Sequence, residues 1–268
     1  MDAKFHPVMA AGGAGDIEKF KALIAEDPSL ATSRSSCGHP TLLQCVVLDG
    51  KDRPYNVEMA QVLIDAGAEL NEPLIACGSM DNRACAELLL DHGAAIHGKG
   101  GWTVLEEALY WDSRNVIAML LERGAKIQNL RTAAGLGRTD LIESYFNADG
   151  TLKPEAGKIN SPFSKLAKTW TQDQQGIVNN AFVYACMHGH IDAAKLLLEK
   201  GAEINAIPGG FDYAGTGLHY AALNGHRATV EFLLANSADP NIKDTKVHST
   251  AAGWAEHGGH NDLRDLLS

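Results

Sequence analysis

LLLEKGAEIN, residues 196–205, recurs along this chain in related copies, and this recurrence decides the fold class. Each copy has an apolar pair, two residues of which at least one is polar, then Gly-Ala or Ser-Ala and a short return. Repeats with a period of roughly 20–50 residues predict a solenoid in which each unit packs only on its neighbours. Function must therefore be sought on the surface of the repeats. The related copies are VLIDAGAELN (62–71), LLLDHGAAIH (88–97), MLLERGAKIQ (119–128) and FLLANSADPN (232–241).

The composition argues against two classes of partner. The 268 residues include 33 acidic and 23 basic side chains, which gives a net charge of −10. Proteins that bind nucleic acids or anionic membranes need a clustered positive field, so we expect neither partner. No stretch approaches the roughly 18 apolar residues of a membrane span, and the N-terminus has no apolar run typical of a secretory signal. We therefore expect a cytoplasmic protein.

The cysteines predict a reduced protein without a metal site. Five of them stand at positions 37, 45, 77, 85 and 186, mostly among apolar neighbours. The number is odd, and no Cys-x-x-Cys pair occurs. These features favour reduced, largely buried thiols over disulfides, a structural zinc or a redox site. We expect no metal and no cofactor.

TGLHYAALNGHRATVEFLLANSADPN, residues 216–241, is the best-preserved unit. Its first half is rich in alanine, which suits a short helix packed closely between its neighbours. Gly225 permits a left-handed turn at little cost, and His226 then opens a second helix. Val230, Leu233 and Leu234 fall at i, i+3 and i+4, which predicts one buried stripe. The unit is therefore expected to be helix, tight turn, helix and reversing loop.

These residues resemble the ankyrin repeat family, whose hallmark is T-P-L-H-x-A-A-x-x-G-H followed by L-L-x-x-G-A-D-x-N. Gly217 stands where the family has Pro, and Ser237 stands where it has the helix-ending Gly. Both departures concern local capping and leave the fold unaffected. The resemblance implies an all-α ankyrin-repeat solenoid. The matching residues are Thr216, Leu218, His219, Ala221, Ala222, Gly225, His226, Leu233, Leu234, Ala238, Asp239 and Asn241.

Aligned in this way, residues 1–268 form a single array of about eight units, since the family's repeat is about 33 residues long. The unit at 129–148 is degenerate, and an insertion at 149–176 breaks the pattern. A loop of that length is either functional or disordered. Phe163, Leu166 and Trp170 lie at i, i+3 and i+7 within it, which indicates a short helix packing back onto the array. The units are placed at about 3–37, 38–71, 72–97, 98–128, 129–148, 177–205, 206–241 and 242–268.

The eleven histidines invite a catalytic or metal-binding interpretation, which the resemblance largely removes. It implies a structural imidazole at the Gly-His turn position and at the T-P-L-H position. No phosphate-binding loop, H-E-x-x-H or G-x-S-x-G motif occurs, and Glu106 and Glu107 are adjacent, so they point about 100° apart on a helix. We therefore expect a protein that is not an enzyme. The structural histidines are His190, His219, His226 and His260, and His188, His248 and His257 remain candidates.

The resemblance places partner binding on a concave face, lined by the reversing loops and the two residues before each inter-helix Gly. Tyr110 and Trp111 are adjacent large aromatics on this face, and Tyr and Trp often anchor interfaces. The alternative is that one of them packs under a shortened loop. The lengthened loop at 206–215 adds further aromatics, for which loop packing is again the alternative. The predicted partner-binding residues are Met80, Tyr110, Trp111, Met187, His188, Phe211, Asp212, Tyr213, Leu223, Asn224 and His257.

Together these features predict a non-enzymatic protein-interaction module that binds a protein partner through its concave face. The acidic field favours a basic partner, and we expect the chain to act as a monomer. Two alternatives remain open. One is a small-molecule or catalytic pocket between the 149–176 insertion and the 206–215 loop. The other makes the array a regulatory partner of a neighbouring enzyme or toxin.

Overall fold

The computed structural model describes residues 2–49, 55–98, 102–157 and 173–268. The chain divides into two compact units, unit 1 (Met1–Lys126) and unit 2 (Ile127–Ser268). Both units are helical. Among the described residues, Phe146 and Leu152 form an isolated antiparallel β-bridge. The helix predicted from Phe163, Leu166 and Trp170 falls on residues 158–172, outside the described ranges.

Unit 1 consists of helix pairs, each made of an inner helix followed by an outer helix. A short 3-10 helix, Ala3–Phe5, precedes the first pair, and α3 (Ser29–Thr32) follows it. The inner helices α4, α6 and α8 pack in succession, and so do the outer helices α2, α5, α7 and α9. The pairs are α1 and α2 (His6–Ala14, Ile17–Glu26), α4 and α5 (Leu42–Leu48, Asn56–Asp65), α6 and α7 (Asn71–Ser79, Arg83–Asp91), and α8 and α9 (Val104–Tyr110, Arg114–Glu122).

Unit 2 repeats the same arrangement. Its inner helices α10, α12, α14 and α16 pack in succession, and its outer helices α11, α13 and α15 do the same. The predicted all-α fold of helix pairs is confirmed, whereas the prediction that all the pairs form one array stays a prediction. The pairs are α10 and α11 (Leu130–Gly135, Thr139–Ser144), α12 and α13 (Gln174–Met187, Ile191–Glu199), α14 and α15 (Gly217–Leu223, Arg227–Ala235), and α16 and α17 (Ala251–His257, Asn261–Leu267).

Two aspartates make the turn between helices where other pairs use glycine. Asp81 and Asp112 both have φ of 51°, in the left-handed region. Aspartate tolerates this region because its short side chain can bond locally. Asp81 Oδ1 accepts the backbone N–H of Val116 at 3.0 Å, and Oδ2 accepts the side-chain amide of Asn115 at 2.7 Å. The turn of one pair thus caps the outer helix of the next.

His219 joins an inner helix to the following loop. Its Nδ1 accepts the Thr216 backbone N–H at 3.2 Å and the Thr216 hydroxyl at 2.9 Å. Its Nε2 donates to the Ser249 carbonyl at 3.2 Å. Burial lowers the pKa of His219, which favours the neutral ring that this bonding pattern requires. The imidazole therefore has the structural role that the resemblance implies.

The described ends of the insertion fold back onto unit 2. Leu152 pairs with Phe146, and the 3-10 helix Pro154–Gly157 follows. Gln174 begins α12, ahead of the predicted unit start at 177, and its amide donates to the Gly150 carbonyl at 3.1 Å. Its Oε1 accepts the Leu152 N–H at 3.1 Å. The inner helix starts early because this side chain fastens its first turn to the insertion.

Gly217→Pro restores the family's residue, yet we expect it to destabilise the protein. A Cβ at this position would lie 2.8 Å from Cys186 Sγ and 3.1 Å from Phe182 Cε1, so α12 fills the space that a proline ring needs. Overpacking of this kind costs about 1–3 kcal/mol, which exceeds the benefit of proline at the first helical position. Urea unfolding followed by circular dichroism measures the change.

Ser237→Gly, at the other departure from the family pattern, is the matched comparison. Ser237 has φ of 69°, so glycine removes left-handed strain and should raise the free energy of unfolding by about 1 kcal/mol. If Gly217→Pro also stabilised the protein, the close packing of α12 against α14 would not explain why position 217 has glycine and not proline.

Candidate functional site

The candidate site in unit 1 lies at the C-terminal ends of the inner helices. Ser79 and Met80 stand at the end of α6, and Tyr110 and Trp111 stand at the end of α8. Met80 and Tyr110 are partly buried, whereas the Trp111 side chain is 51% exposed. Of the two adjacent aromatics, Trp111 is therefore the one with a large ring open to solvent.

Helix α8 is fixed at its start and along one side. The Thr103 hydroxyl accepts the Glu106 backbone N–H at 3.2 Å, while Glu106 Oε2 accepts the Thr103 backbone N–H at 2.9 Å. This reciprocal cap satisfies backbone donors at the helix start. Along its side, a Cβ at Gly78 would lie 3.0 Å from the Val104 carbonyl oxygen, so α6 packs closely on α8. The helix that carries the exposed aromatic is therefore capped and closely packed.

Four side chains, Trp102, Glu107, Tyr110 and Trp111, form what we call the Trp111 cluster. Glu107 Oε1 accepts the indole N–H of Trp111 at 2.8 Å. Glu107 Oε2 accepts the indole N–H of Trp102, which is 8% exposed. The Tyr110 ring meets the Trp111 ring edge to face, with centroids 5.1 Å apart. The exposed indole is thus held by a hydrogen bond and by a ring contact.

Glu107 gives the Trp111 cluster its electrostatic character. Burial raises the pKa of its carboxyl, and the N–H donors of Trp102 and Trp111 act in the opposite direction. A partly buried carboxylate whose pKa is raised gains stability when a cation approaches it. The cluster therefore combines an exposed aromatic face with a partly buried carboxyl group at its edge, whose ionised form an approaching cation favours.

Two side chains of unit 2 that the sequence assigns to the partner surface are buried instead. Met187 and Phe211 are 2% and 3% exposed, so neither side chain can contact a partner. Phe211 packs on the rings of Tyr184 and Tyr220, at centroid distances of 5.4 and 5.0 Å. The lengthened loop turns this aromatic into the core, so the loop-packing alternative is correct for Phe211.

The other predicted residues at the inner-helix ends of unit 2 remain at or near the surface. His188, Leu223 and Asn224 are partly buried, and His257 is exposed. Asn224 Nδ2 donates to the Met187 carbonyl at 2.8 Å, which joins the end of α14 to the end of α12. Their role in partner binding stays a prediction.

Asp212, Tyr213 and Lys246 form a second surface group, the Tyr213 cluster. Lys246 Nζ lies 3.7 Å from the centroid of the Tyr213 ring and 3.0 Å from Asp212 Oδ2. The hydrogen bond that Lys246 donates to Asp212 raises the pKa of the Lys246 ammonium. The Tyr213 side chain is 43% exposed. A ring, a carboxylate and a cation therefore meet at the surface of unit 2.

The predicted pocket next to the insertion is not tested by the described residues. Asp212, which that alternative places against Tyr213, is paired with Lys246 at the surface. The centre of the insertion, residues 158–172, lies outside the described ranges. Among the described residues, no three His, Cys, Asp or Glu side chains are grouped to hold a metal ion. Over the same ranges, no helix has the length and apolar character needed to cross a membrane.

Sequence reasoning missed two members of the Trp111 cluster, Trp102 and Glu107. Glu107 and Trp111 are four residues apart on a helix, a spacing at which side chains meet, so the sequence could have predicted this contact. Trp102 precedes α8 in a loop, and no periodicity predicts where a loop side chain points. Glu106, which is 4% exposed, bonds back to the helix start, so the adjacent carboxylates do face different groups.

Comparison with known protein families gives a match over most of the chain. A family model described as "Ankyrin repeats (3 copies)" matches residues 51–131 and 133–244. The first segment contains the whole Trp111 cluster, and the second contains Asp212 and Tyr213. Both candidate surface groups therefore lie on repeat units of this family or at their edge.

Similar segments occur in much longer curated proteins. The probable E3 ubiquitin-protein ligase XBOS34 of Oryza sativa subsp. japonica is 41% identical over 70 residues, which cover 26% of this chain and 13% of that protein. The putative E3 ubiquitin-protein ligase XBAT35 of Arabidopsis thaliana is 41% identical over 102 residues, 37% of this chain and 19% of the relative. The serine/threonine-protein kinase TNNI3K of Mus musculus is 38% identical over 91 residues, 31% of this chain and 11% of the relative. The matched segments thus span less than a fifth of each of these relatives.

Proposed function

We propose that this chain, which belongs to the ankyrin repeat family, anchors a protein partner at the Trp111 cluster of unit 1. Ankyrin repeats are protein-interaction modules. On this proposal the chain binds its partner without catalysing a reaction, through the predicted concave face that the inner-helix ends line. It acts as a monomer in the cytoplasm.

The observation that carries this proposal is the combination of exposure and restraint at Trp111. The side chain is 51% exposed, yet Glu107 and Tyr110 hold its ring. Tryptophan is enriched among the residues that dominate binding energy, and a side chain already held in place loses less entropy on binding. An exposed but restrained indole is therefore well suited to anchor a partner.

The thiols support the cytoplasmic part of the proposal. All five cysteines are free, and Cys77, Cys85 and Cys186 are buried. Burial raises the pKa of Cys85 to about 11, so its thiol stays protonated and unreactive at neutral pH. Free cysteines in this number are typical of proteins from a reducing compartment.

Trp111→Ala is expected to reduce capture of the partner by at least about tenfold, because a central aromatic anchor contributes about 2 kcal/mol or more. Tagged wild type and variant are expressed in the native cell, purified by affinity, and compared by quantitative mass spectrometry. The partner is the protein whose yield falls with the variant.

Leu121→Ala is the matched control. Leu121 is 40% exposed and lies on α9, the outer helix of the same pair. The substitution therefore removes an exposed apolar group from the outer helix and leaves the end of the inner helix unchanged. Its captured proteins should match those of wild type. If Trp111→Ala retains every captured protein, or if both variants lose the same ones, the Trp111 cluster is not the binding site.

A further inference from the structure

We infer that the Trp111 cluster binds an arginine side chain of the partner, with the guanidinium over the exposed indole face and its charge balanced by Glu107. This inference rests on the proposed function, because it names the partner group that the same site takes. It goes further by fixing the chemistry of the contact: a cation on an aromatic ring beside a carboxylate.

The chain contains the completed form of this arrangement in the Tyr213 cluster. There the Lys246 ammonium lies 3.7 Å from the Tyr213 ring centroid and 3.0 Å from Asp212 Oδ2. A cation is attracted to the face of an aromatic ring, and the adjacent carboxylate adds a charge-assisted hydrogen bond. The surface of unit 2 therefore shows how a ring and a carboxylate on this scaffold together hold a cation.

Trp111 and Glu107 supply the ring and the carboxylate, and no Lys or Arg of the described residues lies over the Trp111 ring. Trp111 is 51% exposed, against 43% for Tyr213, and indole is the aromatic that attracts cations best. Glu107 lies at the edge of the ring, where its Oε1 accepts the indole N–H at 2.8 Å. Within the described residues, the rings covered by Lys or Arg are those of Phe5, Phe146, Tyr184, Tyr213 and Phe232.

The charge around the Trp111 cluster also favours a cation. From Glu69 to Asp112 the sequence carries eight acidic and two basic side chains. The nearby cation Arg114 is neutralised by Asp112, with Nη2 and Oδ2 2.8 Å apart. A partner that presents positive charge to this part of unit 1 is therefore attracted over a distance as well as at contact.

Arginine fits the cluster better than lysine. Its guanidinium is planar, so it can lie flat on the indole while an N–H at its edge points to a carboxylate. Each Glu107 oxygen already accepts one indole N–H, and an ionised carboxylate has capacity for about four hydrogen bonds. A guanidinium can therefore bond to Glu107 without displacing either tryptophan.

The probe is a displayed library of random twelve-residue peptides, selected on the full chain and counter-selected on Trp111→Ala. The enriched peptides are expected to share an arginine at a fixed position. Resynthesis with citrulline at that position keeps the shape of the side chain and removes its charge. This change should weaken binding at least about tenfold, the effect of a desolvated cation–ring contact with its ion pair.

Glu107→Gln removes the charge beside the ring. The variant keeps Trp111 but turns one of the two acceptors of the indole N–H groups into an amide donor, so the citrulline peptide reports any change in the position of the ring. Binding of the arginine peptide should weaken severalfold more than binding of the citrulline peptide. Leu121→Ala should bind both peptides as wild type does. A circular dichroism melt of each variant checks that the helix pair remains folded.

The outcomes distinguish this inference from the proposed function. Peptides that need Trp111 but bind equally well with citrulline would overturn the arginine contact and leave the anchor in place. A selection that enriches no Trp111-dependent peptide also overturns it, whatever the cellular capture shows. Loss of capture from cells with Trp111→Ala, without arginine dependence, would leave only the proposed function standing.

Discussion

Gly258→Ala is expected to lower the free energy of unfolding of the last helix pair, α16 and α17, by about 3 kcal/mol. A Cβ at position 258 would lie 2.2 Å from the carbonyl oxygen of Leu223 and 3.1 Å from its carbonyl carbon. Both atoms belong to the backbone where α14 ends, so no change of rotamer relieves the overlap. Gly258 has φ of −73° and ψ of −5°, an ordinary helical conformation, so the cost comes from packing alone.

Amide hydrogen exchange of α16 and α17 measures this loss, since a terminal repeat can open while its neighbours stay folded. Gly259→Ala is the matched control. Gly259 has φ of 80°, and no atom lies within 4 Å of an added Cβ, so that variant introduces strain without overlap and should lose about 1 kcal/mol. If Gly258→Ala loses no more than this control, α14 and α16 do not approach as closely as the structure indicates.

The helix pairs were predictable because their signals are local. In LLLEKGAEIN the three leucines belong to α13, which ends at Glu199, and Gly201 follows with φ of 94°. A glycine in that conformation is the usual end of a helix, so the sequence alone places the boundary. The same holds for Thr216 and His219, whose spacing of three residues lets them cap the start of α14.

Side-chain exposure at the candidate site was less predictable because it depends on neighbouring repeats. Trp111 and His188 occupy equivalent positions, each directly after an inner helix, but Trp111 is 51% exposed and His188 is partly buried. The His188 ring stacks on the ring of Tyr184, with centroids 6.5 Å apart. Phe211 is buried because the loop that carries it turns back onto the same tyrosine, which no periodicity predicts.

Asp244→Asn is expected to cost about 3 kcal/mol at neutral pH, because this carboxylate organises the loop before α16. Asp244 is 1% exposed, and its Oδ1 accepts the backbone N–H groups of Lys246 and Val247, both at 2.8 Å. Its Oδ2 accepts the backbone N–H of Ser249 at 2.9 Å and the indole N–H of Trp254 at 3.1 Å. Asparagine replaces one acceptor with a donor that faces these N–H groups.

The pH dependence identifies the ionised carboxylate as the cause. Burial raises the pKa of Asp244, but the N–H donors outweigh this effect and lower it from the ordinary 3.8 to about 2. Because the folded-state pKa is the lower one, the stabilisation is complete above pH 3.8 and is lost as the pH falls through about 2. The shift corresponds to about 2 kcal/mol of unfolding free energy.

Urea unfolding of wild type and Asp244→Asn at a series of pH values measures this contribution. The other carboxyls titrate alike in both proteins, so their contributions cancel when the two unfolding free energies are subtracted. We expect the difference to shrink by about 2 kcal/mol between neutral pH and pH 2. Asp239→Asn is the control: Asp239 accepts the Asn241 N–H at 2.9 Å in an exposed turn, so its loss should stay below about 0.5 kcal/mol. A difference between wild type and Asp244→Asn that is independent of pH would mean that the loop needs the shape of residue 244, and not its charge.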